Sequence, residues 1–373
     1  MKTTPTPSSP AWIRYDLTEV LPPGDTLRET LEALDLTQTQ LAQRTGLSTK
    51  HVNQIVQGQV ALTHDTAIVL ERTTGVPASF WNALEAQYRD HQSRQRERDA
   101  LSSQKEWLQK TPLAALRKLG AVTAAHREPG TQLQQVLQFF GVSSVQAWEE
   151  VWAQPSAAFL QSAAFTADAG AVAAWLRLGE IEASRLASAP FNRIALRECL
   201  PRLRELTLLS GQTFWSELQS LCASAGVAVV VVAEVPGARA SGATRWLSPS
   251  KAIVQLSNRG KRNDKFWFAL FHEIAHVLLH GKRDVFVESD IGHDGGRLAQ
   301  EQVANTFAGQ ILIPARHDAE LQTLVTNRQI RDFADRIAVP PGIVAGRLQH
   351  SRHDFTLGQG LFEFYEIDRF GEQ

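Results

Sequence analysis

The segment Phe271-His272-Glu273-Ile274-Ala275-His276 constrains the fold more than any other stretch of the chain. It sets His-Glu-x-x-His inside a continuous apolar run from Phe266 to Leu279 that closes with His280 and Gly281. No proline interrupts the run, and Gly281 stands where a left-handed helix cap belongs. The pattern therefore predicts a buried helix from about Asp264 to His280. On a helix, residues four apart stack one turn above the other on the same face. His272 and His276 can then share one metal ion, with Glu273 placed as general base toward a water at that ion. The competing reading is a pair of core histidines satisfied by backbone carbonyls. Burying two imidazoles and a carboxylate without an ion or counter-charge is costly, which favours the metal.

A catalytic zinc site usually takes three protein ligands and leaves a fourth position to water. His280 is near the same helix face. Two turns from His272, it lies too far along the axis to join both histidines at one ion, and closing the helix end suits it better. Glu288, Asp290 and His293 are read as lying in a Gly-rich stretch (Ile291-Gly292 through Gly295-Gly296), a mobile loop. Glu301 instead opens a predicted helix ending at Pro314, and Asn305 shares its face one turn on. Rigid elements hold ligands better than loops do. Glu301 is thus the expected third ligand, with Asn305 oriented to hold a ligand by hydrogen bond. The plain alternative for Glu301 is a carboxylate in a first helical turn, where negative charge is stabilised anyway.

Two blocks carry a resemblance. The run Lys265-Phe-Trp-Phe-Ala-Leu-Phe-His-Glu-Ile-Ala-His-Val-Leu-Leu-His280 resembles the signature helix of the ImmA/IrrE family of intracellular metallopeptidases. The run Glu301-Gln-Val-Ala-Asn-Thr-Phe-Ala through Leu312-Ile-Pro314 is similar to that family's second block. With its flanks the resemblance covers residues 206–350 and implies an α+β, zincin-like domain. It also implies zinc, with manganese in some members, and Glu301 as the third ligand. The substrates it implies are transcriptional repressors, often cut after stress.

Within that span, Val227–Val232 reads as a buried strand, with Thr244–Leu247 and Ala252–Leu256 as two more. The strand just ahead of the metal helix is expected to offer an open edge to an extended peptide. Arg328–Ile337 and Gly342–His350 flank Ala338-Val339-Pro340-Pro341, a second helix-turn-helix-like pair. It either packs beneath the metal domain or reads DNA. Residues 351–373 form a tail in which Phe362, Phe364 and Tyr365 mark a closing strand or a docking segment.

The first folded unit is expected over residues 17–94. Thr37-Gln-Thr-Gln40 reads as a capping box, Gly46 as the turn residue and Ser48 as the cap of a helix whose Val52, Ile55 and Val56 face inward. Gly58 ends that helix. Another runs from Thr63 to Thr74 and stops at Gly75 and Pro77, and a further one starts near Ser79 with Phe80, Trp81, Leu84 and Tyr88 on one face. Two short helices joined by such a turn present the second to the DNA major groove. Its exposed face would be Thr49, Lys50, His51, Asn53, Gln54 and Gln57. Asn and Gln pair bidentately with adenine, while Lys50 suits guanine or phosphate. The order Leu41-Ala-Gln-Arg-Thr-Gly-Leu-Ser, Asn53-Gln-Ile-Val-Gln-Gly58, Phe80-Trp81-Asn and Gln87-Tyr88 resembles the XRE superfamily, specifically HigA-type antitoxins. A protein-docking use of the same shape stays open, because residues 17–98 hold eight Lys/Arg against ten Asp/Glu. Arg44, Lys50 and Arg72 could still form a local basic patch.

Over the full 373 residues, 38 Lys and Arg balance 39 Asp and Glu, so the chain as a whole is no polyanion binder. Two cysteines, Cys199 and Cys222, form no metal-type cluster and point to a reducing, cytoplasmic setting. The Thr-, Ser- and Pro-rich residues 1–16 read as a disordered tail, and no apolar stretch is long enough to span a membrane. Residues 95–205 read as a helical linker or partner-binding layer. Its segments are Leu101–Leu119, Leu133–Phe140, Val145–Ala153, Ala169–Ala187 and Phe191–Leu206, with Trp107, Trp148, Trp152 and Trp175 as core anchors.

The expected architecture is mainly α with a small β-sheet: a helix-turn-helix bundle, a helical middle and an α+β metallopeptidase domain. The expected function is a DNA-binding transcriptional regulator with a zinc-dependent endopeptidase domain that cleaves a specific repressor or toxin–antitoxin partner. A homodimer on an operator follows, since one short reading helix contacts few base pairs. The alternative is a non-catalytic, HigA-like antitoxin or autorepressor that binds its promoter and neutralises a toxin. The metal domain would then be a sensor or docking surface.

Overall fold

The computed structural model describes residues 20–153, 168–210, 213–257, 262–280, 286–289 and 298–365. The expectations for the tail 1–16, for a cap at Gly281, for Asp290 and for His293 lie outside the described residues. The chain divides into two compact units, Met1–Ser103 and Gln104–Gln373.

Among the described residues the first unit is a bundle of five helices: α1 (Pro23–Ala33), α2 (Gln38–Thr45), α3 (Thr49–Val56), α4 (His64–Thr74) and α5 (Ala78–Ser102). Its starts and stops follow the expected chemistry. Thr37 and Gln40 form a reciprocal capping box on α2, Ser48 accepts the His51 N–H at the start of α3, and Thr63 caps α4. Gly46 takes φ 74° in the turn between α2 and α3, a conformation that costs any other residue. Leu27, Leu31, Leu41, Val52, Ile55, Leu70 and Trp81 fill the core. Phe80 does not join them: it is 45% exposed while Trp81 is fully buried. Neighbours in sequence point about 100° apart around a helix, so the two could not share a face. The charge run 92–99 continues α5 as a solvated helix braced by Arg89–Glu85 and Arg94–Asp90 ion pairs.

The second unit is built on a four-stranded sheet in the order β1-β3-β2-β4. The strands are β1 (Val227–Val232), β2 (Ala240–Ser248), β3 (Lys251–Ser257) and β4 (Phe286–Ser289). β1 runs parallel to β3, and β2 is antiparallel to both β3 and β4. The strand ahead of the metal helix is therefore central and has no open edge, contrary to expectation. A short hairpin pins β2 to one side of β3, and the parallel partner β1 takes the other. β4 was not anticipated; Glu288, expected in a mobile loop, instead lies in this strand and pairs through its backbone with Gly242.

Both faces of this sheet are covered, as an all-valine and alanine β1 requires. On one face Val227, Val229, Val254 and Leu256 pack with Phe266, Leu270, Phe271 and Ile274 of the helix Asn263–Leu279. On the other lies the helix Ala169–Arg185: Gln255 donates to Trp175 O at 2.7 Å, Arg245 to Leu176 O at 2.7 Å and Lys251 to Ala183 O at 2.8 Å. The helices expected as a spacer thus join, from Gln104 onward, the same unit as the sheet. The single helix expected over 101–119 is broken: α5 ends at Ser102, a 3₁₀ turn spans Lys105–Lys110, and Leu113–Lys118 follows Pro112. Trp107, Trp148, Trp152 and Trp175 are all buried, as expected of core anchors.

The C-terminal segment is part of the fold as well. Asn263 N–H bonds Glu363 O at 2.8 Å, Trp267 Nε1 donates to the Tyr365 hydroxyl at 2.9 Å, and the Arg262 guanidinium lies 3.4 Å from the centroid of the Phe362 ring. These contacts fasten residues 361–365 across the start of the helix Asn263–Leu279.

Candidate metal centre

Every residue from Leu270 to Leu278 is buried, so the two histidines of the motif have no solvent to turn to. The helix Leu298–Leu312 packs against this one and brings Glu301, in its first turn, to the same point. His272 Nε2 and His276 Nε2 are 2.9 Å apart, and Glu301 Oε2 lies 3.0 Å from the first and 3.6 Å from the second. A four-coordinate ion with bonds of ~2.0–2.1 Å separates its donor atoms by roughly 3.3–3.4 Å. The three observed distances bracket that edge length, so the donors fit one ion without rearrangement of the helices. Among the described residues, this is the group of three whose donor atoms all lie within 4.8 Å of one another.

The protonation states fit too. Burial pushes His276 down to about 4 against the opposing pull of Glu301, so the imidazole is neutral near pH 7. Burial opposes ionisation of Glu301, but hydrogen bonds from His272 and His276 outweigh it and hold the carboxyl well below its usual range. A neutral His276 imidazole and an ionised Glu301 carboxylate are the forms in which these side chains bind metal.

Each imidazole is held from behind. His272 Nδ1 lies 3.0 Å from Asn305 Oδ1, the contact expected of Asn305. His276 Nδ1 lies 2.8 Å from His280 Nδ1. Glu273, fully buried, is held from β2: the Thr244 hydroxyl donates to its Oε2 at 2.6 Å and lies 3.0 Å from its backbone oxygen. Two residues earlier on the same strand face, a Cβ on Gly242 would meet Glu273 Oε1 at 2.5 Å. Only a glycine lets the strand backbone pass so close to the carboxylate. Sequence reasoning missed both residues; the period-two run Gly242, Thr244, Trp246 was the available signal, and it says nothing of which helix lies opposite.

In the first unit, Thr49, Lys50 and Asn53 are exposed on α3 and Gln57 at its C-cap, while His51 and Gln54 are half-buried. Asn53 Nδ2 donates to Gln38 Oε1 at 3.3 Å, which ties the would-be reading face to the start of α2. In the second helical pair, the helix Pro341–Arg352 buries Gly342, Ile343, Val344, Ala345, Leu348 and Gln349 and exposes Arg347, His350 and Ser351. Elsewhere, a cavity of about 1260 Å³ is lined by residues such as Leu108, Leu113, Leu178 and Val235 and includes none of the metal-site residues. No helix among the described residues is long and apolar enough to cross a membrane.

Comparisons with known proteins place names on these two regions. Residues 226–349 match the peptidase-family model described as the IrrE N-terminal-like domain, and residues 27–81 match the model described as helix-turn-helix. Among solved structures, the chain is similar to an addiction module antidote protein of the HigA family from Coxiella burnetii. The two are 28% identical over 22% of this chain and 92% of that one, with a TM-score of 0.21. No curated protein matches the chain.

Proposed function

We propose that this chain, which joins a helix-turn-helix segment to a segment of the IrrE-like peptidase family, is a DNA-binding regulator whose second unit is a metal-dependent endopeptidase. Its substrate is a protein partner of the regulated system, a repressor or a toxin–antitoxin protein. The observation that carries this reading is the convergence of His272, His276 and Glu301 beside a Glu273 carboxylate locked to Thr244. A purely structural metal site has no use for Glu273.

His272, His276 and Glu301 would hold the ion, and the donor set favours zinc, with manganese the second choice. Bound there, a divalent ion supplies Lewis acidity to a peptide carbonyl and makes a water molecule more acidic. Glu273 would act as the general base, accepting a proton from a water molecule in the site and returning it to the leaving amine. Asn305 keeps the His272 ring turned toward the ion, and Thr244 sets the rotation of the Glu273 carboxylate. In the first unit, Thr49, Lys50, Asn53 and Gln57, with His51 and Gln54 at the margin, face the bases of an operator. A homodimer supplies the second half-site. Such a regulator works in the cytoplasm, where its DNA lies.

Metal content is the first test. Glu301→Ala is expected to lose bound metal while His293→Ala keeps it; retention in the first and loss in the second would move the third ligand to residues 290–297. The second test is incubation of a partner encoded beside this chain with wild type and with Glu273→Gln. Cleavage by wild type alone supports the peptidase. Equal cleavage by both, or none with zinc or manganese bound, leaves the antitoxin or autorepressor reading, with the metal domain as sensor or docking surface.

A further inference from the structure

We propose that His280 is a positioning residue of the metal centre: its imidazole Nδ1 accepts the Nδ1–H of His276 and so keeps the His276 Nε2 lone pair aimed at the ion. The inference rests on the reading of His272, His276 and Glu301 as ligands and adds a residue outside the His-Glu-x-x-His signature.

Three observations carry it. The two Nδ1 atoms are 2.8 Å apart, and the rings stand 4.9 Å between centroids. At that distance one nitrogen bears the hydrogen and the other a lone pair. Which is which follows from the far side of His276, where Nε2 faces His272 Nε2 and Glu301 Oε2 in the donor triangle. If Nε2 gives its lone pair to an ion, Nδ1 must carry the hydrogen, and His280 is then the acceptor. The third observation is the local frame. The helix ends at Leu279, yet the His280 N–H still bonds His276 O at 3.2 Å, so His280 remains one turn beyond His276 although its own backbone is extended. The position is half-buried, at the rim of an otherwise enclosed site.

The same device recurs across the site. Asn305 lies four residues beyond the ligand Glu301 and holds His272; His280 lies four beyond the ligand His276 and holds His276 itself. One helical turn past a ligand, each helix supplies the acceptor that sets an imidazole's tautomer. Such partners raise ligand basicity and fix ring orientation, and their loss typically weakens metal binding by about 10–100-fold.

The test uses the full chain stripped of metal and titrated with Zn²⁺ against a chromogenic chelator, for wild type, His280→Leu and His280→Asn. Leucine and asparagine have nearly the same shape. Asparagine, however, carries its amide oxygen as many bonds from Cβ as Nδ1 is in histidine. The Leu variant is expected to bind Zn²⁺ about 10–100-fold more weakly, and the Asn variant to recover most of that loss. In ring-nitrogen NMR of the zinc-loaded wild type, His276 should show a protonated Nδ1 and a metal-bound Nε2. Metal-free melting temperatures, matched among the three, exclude a loss through unfolding. Equal affinity of the Leu variant and wild type overturns the inference alone. So does an Asn variant as defective as His272→Ala, which would make His280 a ligand. A wild type that binds no Zn²⁺ overturns the metal reading beneath it.

Discussion

Two helical pairs in this chain begin alike. Thr37 and Gln40 close a capping box on α2, and Thr326 and Gln329 close one on the helix Asn327–Ile337. Each first helix ends in a left-handed residue, Gly46 at φ 74° and Ala338 at φ 52°. Each second helix starts after a short extended link, capped by Ser48 in one case and opened by Pro341 in the other. The second helices then part ways. α3 turns only Val52, Ile55 and Val56 inward and leaves Thr49, Lys50 and Asn53 in solvent. The helix Pro341–Arg352 buries Gly342, Ile343, Val344, Ala345, Leu348 and Gln349. Its Gly342 and Gly346 lie directly against Asn263 and Asp264, at the start of the metal helix. The turn chemistry makes a helix pair, and the composition of the second helix decides whether that pair reads a partner or supports a site.

That contrast can be broken most severely at Gly346. A Cβ there would collide with the Asp264 side chain, itself paired with Arg262 at 2.7 Å. Gly346→Leu is expected to cost about 3 kcal/mol of stability in the second unit and to lower metal occupancy with it. Urea unfolding and metal analysis read both. A stable, fully metallated variant would mean the second pair is no foundation.

The matching change in the first pair should touch binding and spare the fold. Lys50→Ala with Asn53→Ala is expected to weaken binding to the chain's own promoter region by about 2 kcal/mol or more. Its stability should stay within about 0.5 kcal/mol of wild type. An unchanged gel shift would remove α3 as a DNA reader.

Acid should separate buried groups from exposed ones. The folded-state pKa of His276 is depressed to about 4, below the ordinary histidine value. Between those values the unfolded chain binds a proton that the folded chain refuses, so stability falls as pH drops through that window. Glu301, also depressed, acts in the same sense below the usual carboxylate range. The metal-free second unit is thus expected to lose stability steadily from about pH 6.5 toward 4, and the metal-loaded protein to release its ion near the lower end. Melting curves and metal retention at stepped pH check this. Loss of metal already near pH 6.5 would mean that His276 is not held neutral by burial.

The smallest effect tests what the two pairs share. Thr37→Ala and Thr326→Ala each remove the side chain that accepts an N–H three residues on, and each is expected to cost about 1 kcal/mol by denaturant unfolding. Clearly unequal costs would show that the two capping boxes do different work.

Much of this was legible in residues alone because it is local. Capping boxes, the Gly46 turn, the inward Val52, Ile55 and Val56, and the four-residue step from His272 to His276 are set within one or two helical turns, where spacing dictates direction. Glu301 and Asn305 were legible for the same reason: a first-turn carboxylate and its neighbour one turn on. Tertiary structure decided the rest. It placed β3 in the middle of the sheet, brought Gly242 and Thr244 of β2 against Glu273, laid Ala169–Arg185 on the far sheet face, and sent one helical pair into the core. No periodicity in a strand says which helix will lie across it, and no turn says which face its second helix will bury. Those choices follow from which apolar surfaces, distant in sequence, leave water together.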